Sequence, residues 1–275
     1  VDLDVPADSE IVIEGLVDPE LLEPEGPFGE SHGYIALEDY NMSMQVTAIT
    51  HKHKPVFVSI ISQVTPSESS VIKKVAYEPM FLSHLRDQLG IKGIRAVSLH
   101  EPLSNVRPVI FLKYAQGTPR TEVWRGIHGA SGLRADCGKI VVAVSDDIDP
   151  TNTNAVFWSM AYRANPVEDV HVVPHRSSGH GPKSGRVPND SSLLIDATLK
   201  APFPPLALPT RGFMDRARKI WDELGLPTLS PQPPWHGHAA KGRASSNARP
   251  TGSTATTKAI RRNTAARRSW ARSKG

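Results

Sequence analysis

The spacing of apolar and polar positions changes period several times along the chain. Polar residues at 9 and 10 precede Ile11-Val12-Ile13, and Gly15 follows soon after, a pattern that predicts a strand entering a turn. A Pro- and Glu-rich stretch comes next and reads as a loop. Residues 44–50 and 56–61 are β-branched runs separated by His51-Lys52-His53-Lys54-Pro55, which predicts two strands joined by a polar turn. From Ser67 the period becomes helical, with Val71, Val75, Leu82, Leu85 and Leu89 recurring up to Gly90, and Pro79 expected to break or kink that helix. Residues 94–99 and 109–114 read as strands, and Thr118-Pro119 as a helix start with proline at the first helical position. Residues 140–144 are wholly apolar, as in a strand buried on both faces. An amphipathic helix over 154–163 and a strand over 170–173 follow, then a Gly/Ser/Pro-rich loop over 177–192. Residues 203–209 are too proline-rich for regular structure, and 211–224 restore a helix with Phe213, Ala217, Ile220 and Leu224 on one face.

This alternation places the chain in the α/β class, mixed α+β in detail. The expected organisation is a β-rich segment over residues 1–65, a layered α/β domain over 66–200, a linker and docking helix over 201–230, and a disordered tail over 231–275. The tail is rich in Ser, Thr, Ala and Arg and has little apolar content to offset the entropy of ordering.

Charge sharpens that division. The 275 residues carry a formal net charge of +4, but residues 241–275 hold ten Lys/Arg and no Asp/Glu. Residues 1–240 are left with 22 basic and 28 acidic groups, so the body is acidic and only the tail is a polycation. The Arg261-Arg262 and Arg267-Arg268 pairs could bind nucleic acid or anionic membrane by counterion release, although a solvated extension is the preferred reading. No apolar run approaches the roughly 18 to 20 residues of a membrane span, and the acidic start lacks a signal peptide's basic and apolar regions, so a cytoplasmic location is expected. Cys137 is the single cysteine, which excludes an intrachain disulfide and a Cys-rich zinc site.

The segment with most chemical content is Glu25-Gly26-Pro27-Phe28-Gly29-Glu30-Ser31-His32-Gly33-Tyr34. Two carboxylates flank a stiff, glycine-punctuated loop with an aromatic at its centre. Held close, two acids resist ionising together, so one serves as general acid while the other stays charged and orients a partner. The alternative is a surface loop with two solvated glutamates.

The run from Pro6 to Gly15, followed by Glu25 to Tyr34, resembles the signature of the UbiD decarboxylase family. Thr118-Pro119-Arg120, Asp146-Asp147-Ile148-Asp149, Phe157-Trp158, Arg163 and Leu194-Ile195-Asp196-Ala197-Thr198 are similar too, and the resemblance covers roughly residues 5–228. It implies a carboxy-lyase that removes carbon dioxide from, or adds it to, an aromatic or α,β-unsaturated acid. The complete enzyme would use prenylated FMN with Mn2+ and K+, the flavin acting as electron sink and a flavin prenyltransferase supplying it. By resemblance Glu30 is the proton-donating carboxylate and Glu25 belongs to an Arg-linked ionic network. Ser192 stands where many relatives carry a lysine that meets the flavin phosphate, a charge that serine cannot supply. The family's network arginine and its metal and phosphate ligands lie upstream of the stretch opening at Pro6. This chain is therefore expected to be an incomplete part of the enzyme, inactive and flavin-free alone and assembling as a homo-oligomer. The alternative is a non-catalytic subunit or degenerate fragment that mediates oligomerisation.

Other candidates are weaker. His51 and His53 have a metal-like spacing without a third ligand, and His236 and His238 lie beyond the last good helix, so no metal site is assigned to this chain. His175 and His180 flank a loop and read as filler. Asp146, Asp147 and Asp149 follow a buried strand, where open sheets bind ligands, but a turn and helix-capping role is preferred.

Overall fold

The computed structural model describes residues 3–30, 32–36, 39–63, 66–100, 108–177, 190–200, 203–204, 207 and 209–227. The described residues up to Phe203 form one unit and those from Pro204 another.

The first unit opens with a long antiparallel ribbon of β1 (Ile11–Glu25) and β4 (Asp39–His51), with Ile11 opposite His51 and Glu25 opposite Asp39. The strand expected to end at Gly15 continues to Glu25, because the register shifts between Glu14 and Gly15 and again between Val17 and Leu22 instead of the pairing ending. Gly15 permits this: a Cβ there would lie 2.6 Å from Met44 Cγ and 2.7 Å from the Gln45 carbonyl. Two short strands, β2 (Phe28–Gly29) and β3 (Ile35–Ala36), pair antiparallel between the ribbon strands in sequence. Residues 56–61, expected as the second strand of a hairpin, have no strand partner among the described residues. Buried side chains begin only at Ser67, so the described part of residues 1–65 has no core of its own.

Helix α1 (Glu68–Ser83) starts where Ser67 accepts a hydrogen bond from the Ser70 amide, a cap worth about 1 kcal/mol. Pro79 does not end it. One missing amide donor is outweighed by Phe81 and Leu85, both fully buried, and the chain continues into a π-helical turn, His84–Gln88. Gly90, with φ of +67°, then terminates the helical stretch, as Ile91 N donates to Leu85 O at 3.0 Å.

A five-stranded sheet follows, in the order β5 (Ile94–Leu99), β6 (Val109–Tyr114), β7 (Ile140–Ser145), β9 (Asp190–Ala197), β8 (Val170–Arg176). Strands β6, β7 and β9 are parallel, and the edge strands β5 and β8 run antiparallel to their neighbours. Alternation along the pleat divides the core in two. Ile110, Leu112, Val141, Ala143 and Leu194 face one side and pack with Phe81, Leu85, Val123 and Ile127 from α1, the π-helical turn and α2 (Arg120–Gly132). Phe111, Val142, Val144 and Ile195 face the other side and pack with Ala155 and Val156 of α3 (Thr153–Arg163). The result is three layers. Helix α2 begins one residue later than expected, with Pro119 as its cap, because the Thr118 hydroxyl donates to Ala115 O at 2.7 Å instead of capping the helix. Residues 190–192, expected in a loop, form the start of β9, and residues 178–189 lie outside the described residues.

The second unit contains α4 (Arg211–Glu223), which closes at Gly225 with φ of +61°. Phe213, Ile220 and Leu224 are exposed on it. The basic tail over 231–275, including His236 and His238, lies outside the described residues.

Candidate active site

The acid-bearing loop is built at one end of the ribbon. Strand β1 ends at Glu25, a turn through Gly26 (φ +96°) and a cis Gly26–Pro27 bond leads into β2, and Glu30 begins the turn between β2 and β3. Glu30 N donates to Tyr34 O at 3.0 Å and Gly33 N donates to Glu30 O at 2.9 Å, so both backbone groups of Glu30 are tied into the turn. Gly33 supplies the left-handed φ of +87° that this closure requires. His32 Nδ1 accepts from Tyr34 N at 3.2 Å, and the His32 and Tyr34 rings lie 5.9 Å apart. From behind, Gln63 supports the hairpin: a Cβ at Gly29 would lie 3.0 Å from Gln63 Cβ.

Glu25 accepts a hydrogen bond from Asn41 Nδ2 at 2.7 Å across the ribbon. An amide, not a guanidinium, therefore holds this carboxylate among the described residues. Both sequence-predicted acids thus belong to the same end of the ribbon, one at the last residue of β1 and one at the hairpin turn. Ser192 lies elsewhere, inside the sheet on β9 opposite Val173, 1% exposed and with no hydrogen-bond partner for its hydroxyl among the described residues. A side chain so enclosed does not fit a phosphate. No three His, Cys, Asp or Glu among the described residues converge on a metal position. His51, at the end of β4, uses its Nδ1 on the neighbouring Lys52 carbonyl at 2.7 Å.

A second polar cluster lies at the carboxyl ends of the parallel strands, and sequence reasoning missed its centre. Asp169, 2% exposed, accepts from Arg120 Nη2 at 2.8 Å and Asn165 N at 2.8 Å, and lies 3.2 Å from Lys200 Nζ. Asp196, fully buried, accepts from the Thr198 hydroxyl at 2.6 Å and its amide at 3.0 Å, with Arg120 Nε 3.9 Å from its other oxygen. Two acids and two bases balance here, which favours a structural clasp over a cation site. Two of the aspartates after β7 are likewise occupied. Asp147 pairs with Arg163, and Asp149 accepts from the Thr151 amide and hydroxyl at 2.9 and 2.8 Å. A concave surface of about 620 Å3 over α2, lined by Leu89, Arg120, Thr121, Trp124, Arg125 and His128, contains neither carboxylate of the loop.

Residues 1–64 match the family model described as 3-octaprenyl-4-hydroxybenzoate carboxy-lyase Rift-related domain, and residues 70–197 match that of the same enzyme's C-terminal domain. An uncharacterised protein of Archaeoglobus fulgidus is 30% identical over 204 residues, covering 73% of this chain and 41% of the relative. The UbiD-class enzyme HmfF from Pelotomaculum thermopropionicum, solved in complex with FMN, superposes with a TM-score of 0.65 at 28% identity, covering 76% of this chain and 46% of that one. Vanillic acid decarboxylase from Sedimentibacter hydroxybenzoicus, 22% identical, shares the fold with a TM-score of 0.67, covering 82% of this chain and 50% of that one. The chain spans about half the length of the curated relatives it matches. A C-terminal domain match that takes in the whole five-stranded sheet, and a second match ending beyond the acid loop, place this chain in the UbiD family of carboxy-lyases.

Proposed function

We propose that this chain supplies the proton-handling loop and the α/β domain of a carboxy-lyase acting reversibly on an aromatic or α,β-unsaturated acid, with prenylated FMN bound once further polypeptide completes the β-rich domain. The observation that carries this reading is the placement of Glu30, whose N–H and C=O both close the hairpin turn and so fix this acid at the same end of the ribbon as Glu25. The exposed ribbon and the double length of the relatives support the need for further polypeptide. An evolved dimeric form of HmfF is solved with prFMN, which supports the same cofactor here.

The proton balance assigns Glu30 its task. Its carboxylate takes the proton of the incoming acid, the bond to the carboxyl carbon breaks, carbon dioxide leaves, and the proton passes from Glu30 to the carbon just vacated. Carboxylation is the reverse. Glu25, fixed by Asn41, acts as the charged neighbour. The flavin, when bound, would supply the electron sink, and the completing polypeptide would contribute the ligands for Mn2+ and K+. We place this activity in the cytoplasm, with a flavin prenyltransferase as cofactor supplier.

The test is Glu30→Gln in the completed enzyme. The amide keeps the shape and cannot carry the proton, so turnover should fall by roughly 10² to 10⁴ with flavin absorbance retained. A variant keeping more than half the rate would exclude Glu30.

A further inference from the structure

The segment over residues 56–61 is tied down at both ends and unbonded in the middle. Glu10 holds its start: Oε2 accepts from Val56 N at 2.9 Å and Oε1 from Lys52 Nζ at 2.6 Å. Glu68 holds its end, since Oε2 accepts from Ile61 N at 2.6 Å and Glu68 N donates to Ile61 O at 3.2 Å. Between these clamps the N–H groups of Phe57, Val58, Ser59 and Ile60 donate to nothing among the described residues. Phe57 and Val58 are 79% and 74% exposed, and Val56, Ile60 and Ile61 are exposed as well.

A strand apolar on both faces is the pattern of a central strand in a covered sheet. Exposed edges in folded proteins are usually blunted by charge or proline, and residues 56–61 contain neither. We infer that residues 56–61 are a docking strand that receives one β-strand of the polypeptide completing the domain. Backbone pairing takes up the amides of 57–60, and the partner's apolar body covers the side chains. This inference rests on the proposed function, which requires such a polypeptide.

The occupant follows from three observations. The relatives are about twice this chain's length. The neighbouring ribbon exposes Leu16, Leu21 and Met42 as well, so the partner must be a β-rich body that covers ribbon and strand together. A second copy fits less well: self-pairing would cover residues 56–61 with the same six-residue segment, not with the β-rich body that the exposed ribbon calls for as well. Docking also reaches the chemistry. Gln63, two residues past Ile61, packs on Gly29 beside Glu30, so the partner strand fixes the position of the acid hairpin.

Amide hydrogen exchange tests this on the chain alone and on a fusion in which the upstream part of HmfF, outside its match with this chain, precedes Val1, with FMN as the probe ligand. In the chain alone the amides of 57–60 should exchange like unstructured peptide. In the fusion they should slow by roughly 100-fold or more, as paired strand amides do. Val58→Pro in the fusion should abolish that protection and leave the β5–β9 sheet protected. Protection already present in the monomeric chain overturns the inference. Protection that grows with concentration of the chain alone makes a second copy the occupant and overturns it too. A fusion that holds FMN while 57–60 exchange freely refutes the docking strand and leaves the proposed function standing. A fusion with a protected sheet, no FMN and free 57–60 refutes both.

Discussion

Asp147 takes both terminal nitrogens of the Arg163 guanidinium, at 2.8 and 2.6 Å, and Trp158 lies 5.1 Å from the same group. The two partners are not equally enclosed. The Arg163 side chain is 1% exposed and that of Asp147 30%, so the carboxylate can rehydrate when orphaned and the guanidinium cannot. Removing the acid should therefore cost more than removing the base. Asp147→Ala is expected to destabilise the domain by about 3 kcal/mol, the scale for orphaning a buried charge, and Arg163→Met by clearly less. Urea unfolding of both variants checks the order, and equal losses would show that the guanidinium finds water.

Tyr114 and Gly126 make a second dependence. The Tyr114 hydroxyl, whose pKa is pushed up by burial and by the charges of Glu122 and Asp196, packs against the backbone of α2 where a Gly126 side chain would stand. Gly126→Ala should destabilise by about 1 to 3 kcal/mol through overpacking, despite alanine's better helix propensity. Tyr114→Phe should recover part of that loss, because the clashing atom is the hydroxyl and the ring carbon behind it stands 3.1 Å from the added methyl. Thermal melts of the two single variants and the double variant decide it. Simple additivity would mean that the clash is relieved elsewhere.

These packing relations were only partly legible in the sequence. Strands β5 and β6 fall on the predicted residues, because apolar side chains that the sheet buries dominate both, Ile94, Val97 and Leu99 on one and Ile110, Phe111 and Leu112 on the other. The stretch from Gly15 to Glu25 did not show its strand: its side chains are mostly exposed on both faces, and only pairing with β4 makes it regular. Residues 56–61 read as a strand for the opposite reason, having the composition without a described neighbour. In the candidate site, Glu25 and Glu30 were visible as a local motif. Asp169 was not, since its partner Arg120 is 49 residues away and periodicity carries no such pairing.

His100 sits edge-on to Phe111, with ring centroids 5.8 Å apart. Burial pushes its pKa below the usual value of 6.5, and the nearby Lys74 charge adds to this. His128 is lowered as well, by burial and by His171. In the window between the depressed folded pKa and 6.5 the unfolded chain binds more protons, so stability is full above about 6.5 and falls as pH drops. The denaturation midpoint should decline between about pH 7 and pH 5, and His100→Gln should flatten that decline. An unchanged slope in His100→Gln would assign the pH dependence to other groups.

Helix α4 leaves an apolar stripe without cover in its own unit. Phe213 is 69% exposed, Leu224 67% and Ile220 45%, and with Ala217 they fall on one face at helical spacing. Trp221 is drawn the other way, its indole N–H donating to Pro227 O at 2.8 Å, which fixes the chain after the helix and keeps the stripe clear. Hydrophobic area of this kind drives association at about 25 cal/mol per Å2 of apolar surface buried, and a twofold dimer presents the same stripe from both sides. The full chain is therefore expected to dimerise through α4, and Phe213→Asp with Ile220→Asp to shift it to monomer. Both positions are exposed in their own unit, so the charges should leave folding intact and act only on association. Light scattering of the two proteins at matched concentration, with far-ultraviolet circular dichroism as the folding control, gives the answer. A parent chain that is monomeric would refute the α4 interface, and a dimer that survives the double substitution would move the contact to another face.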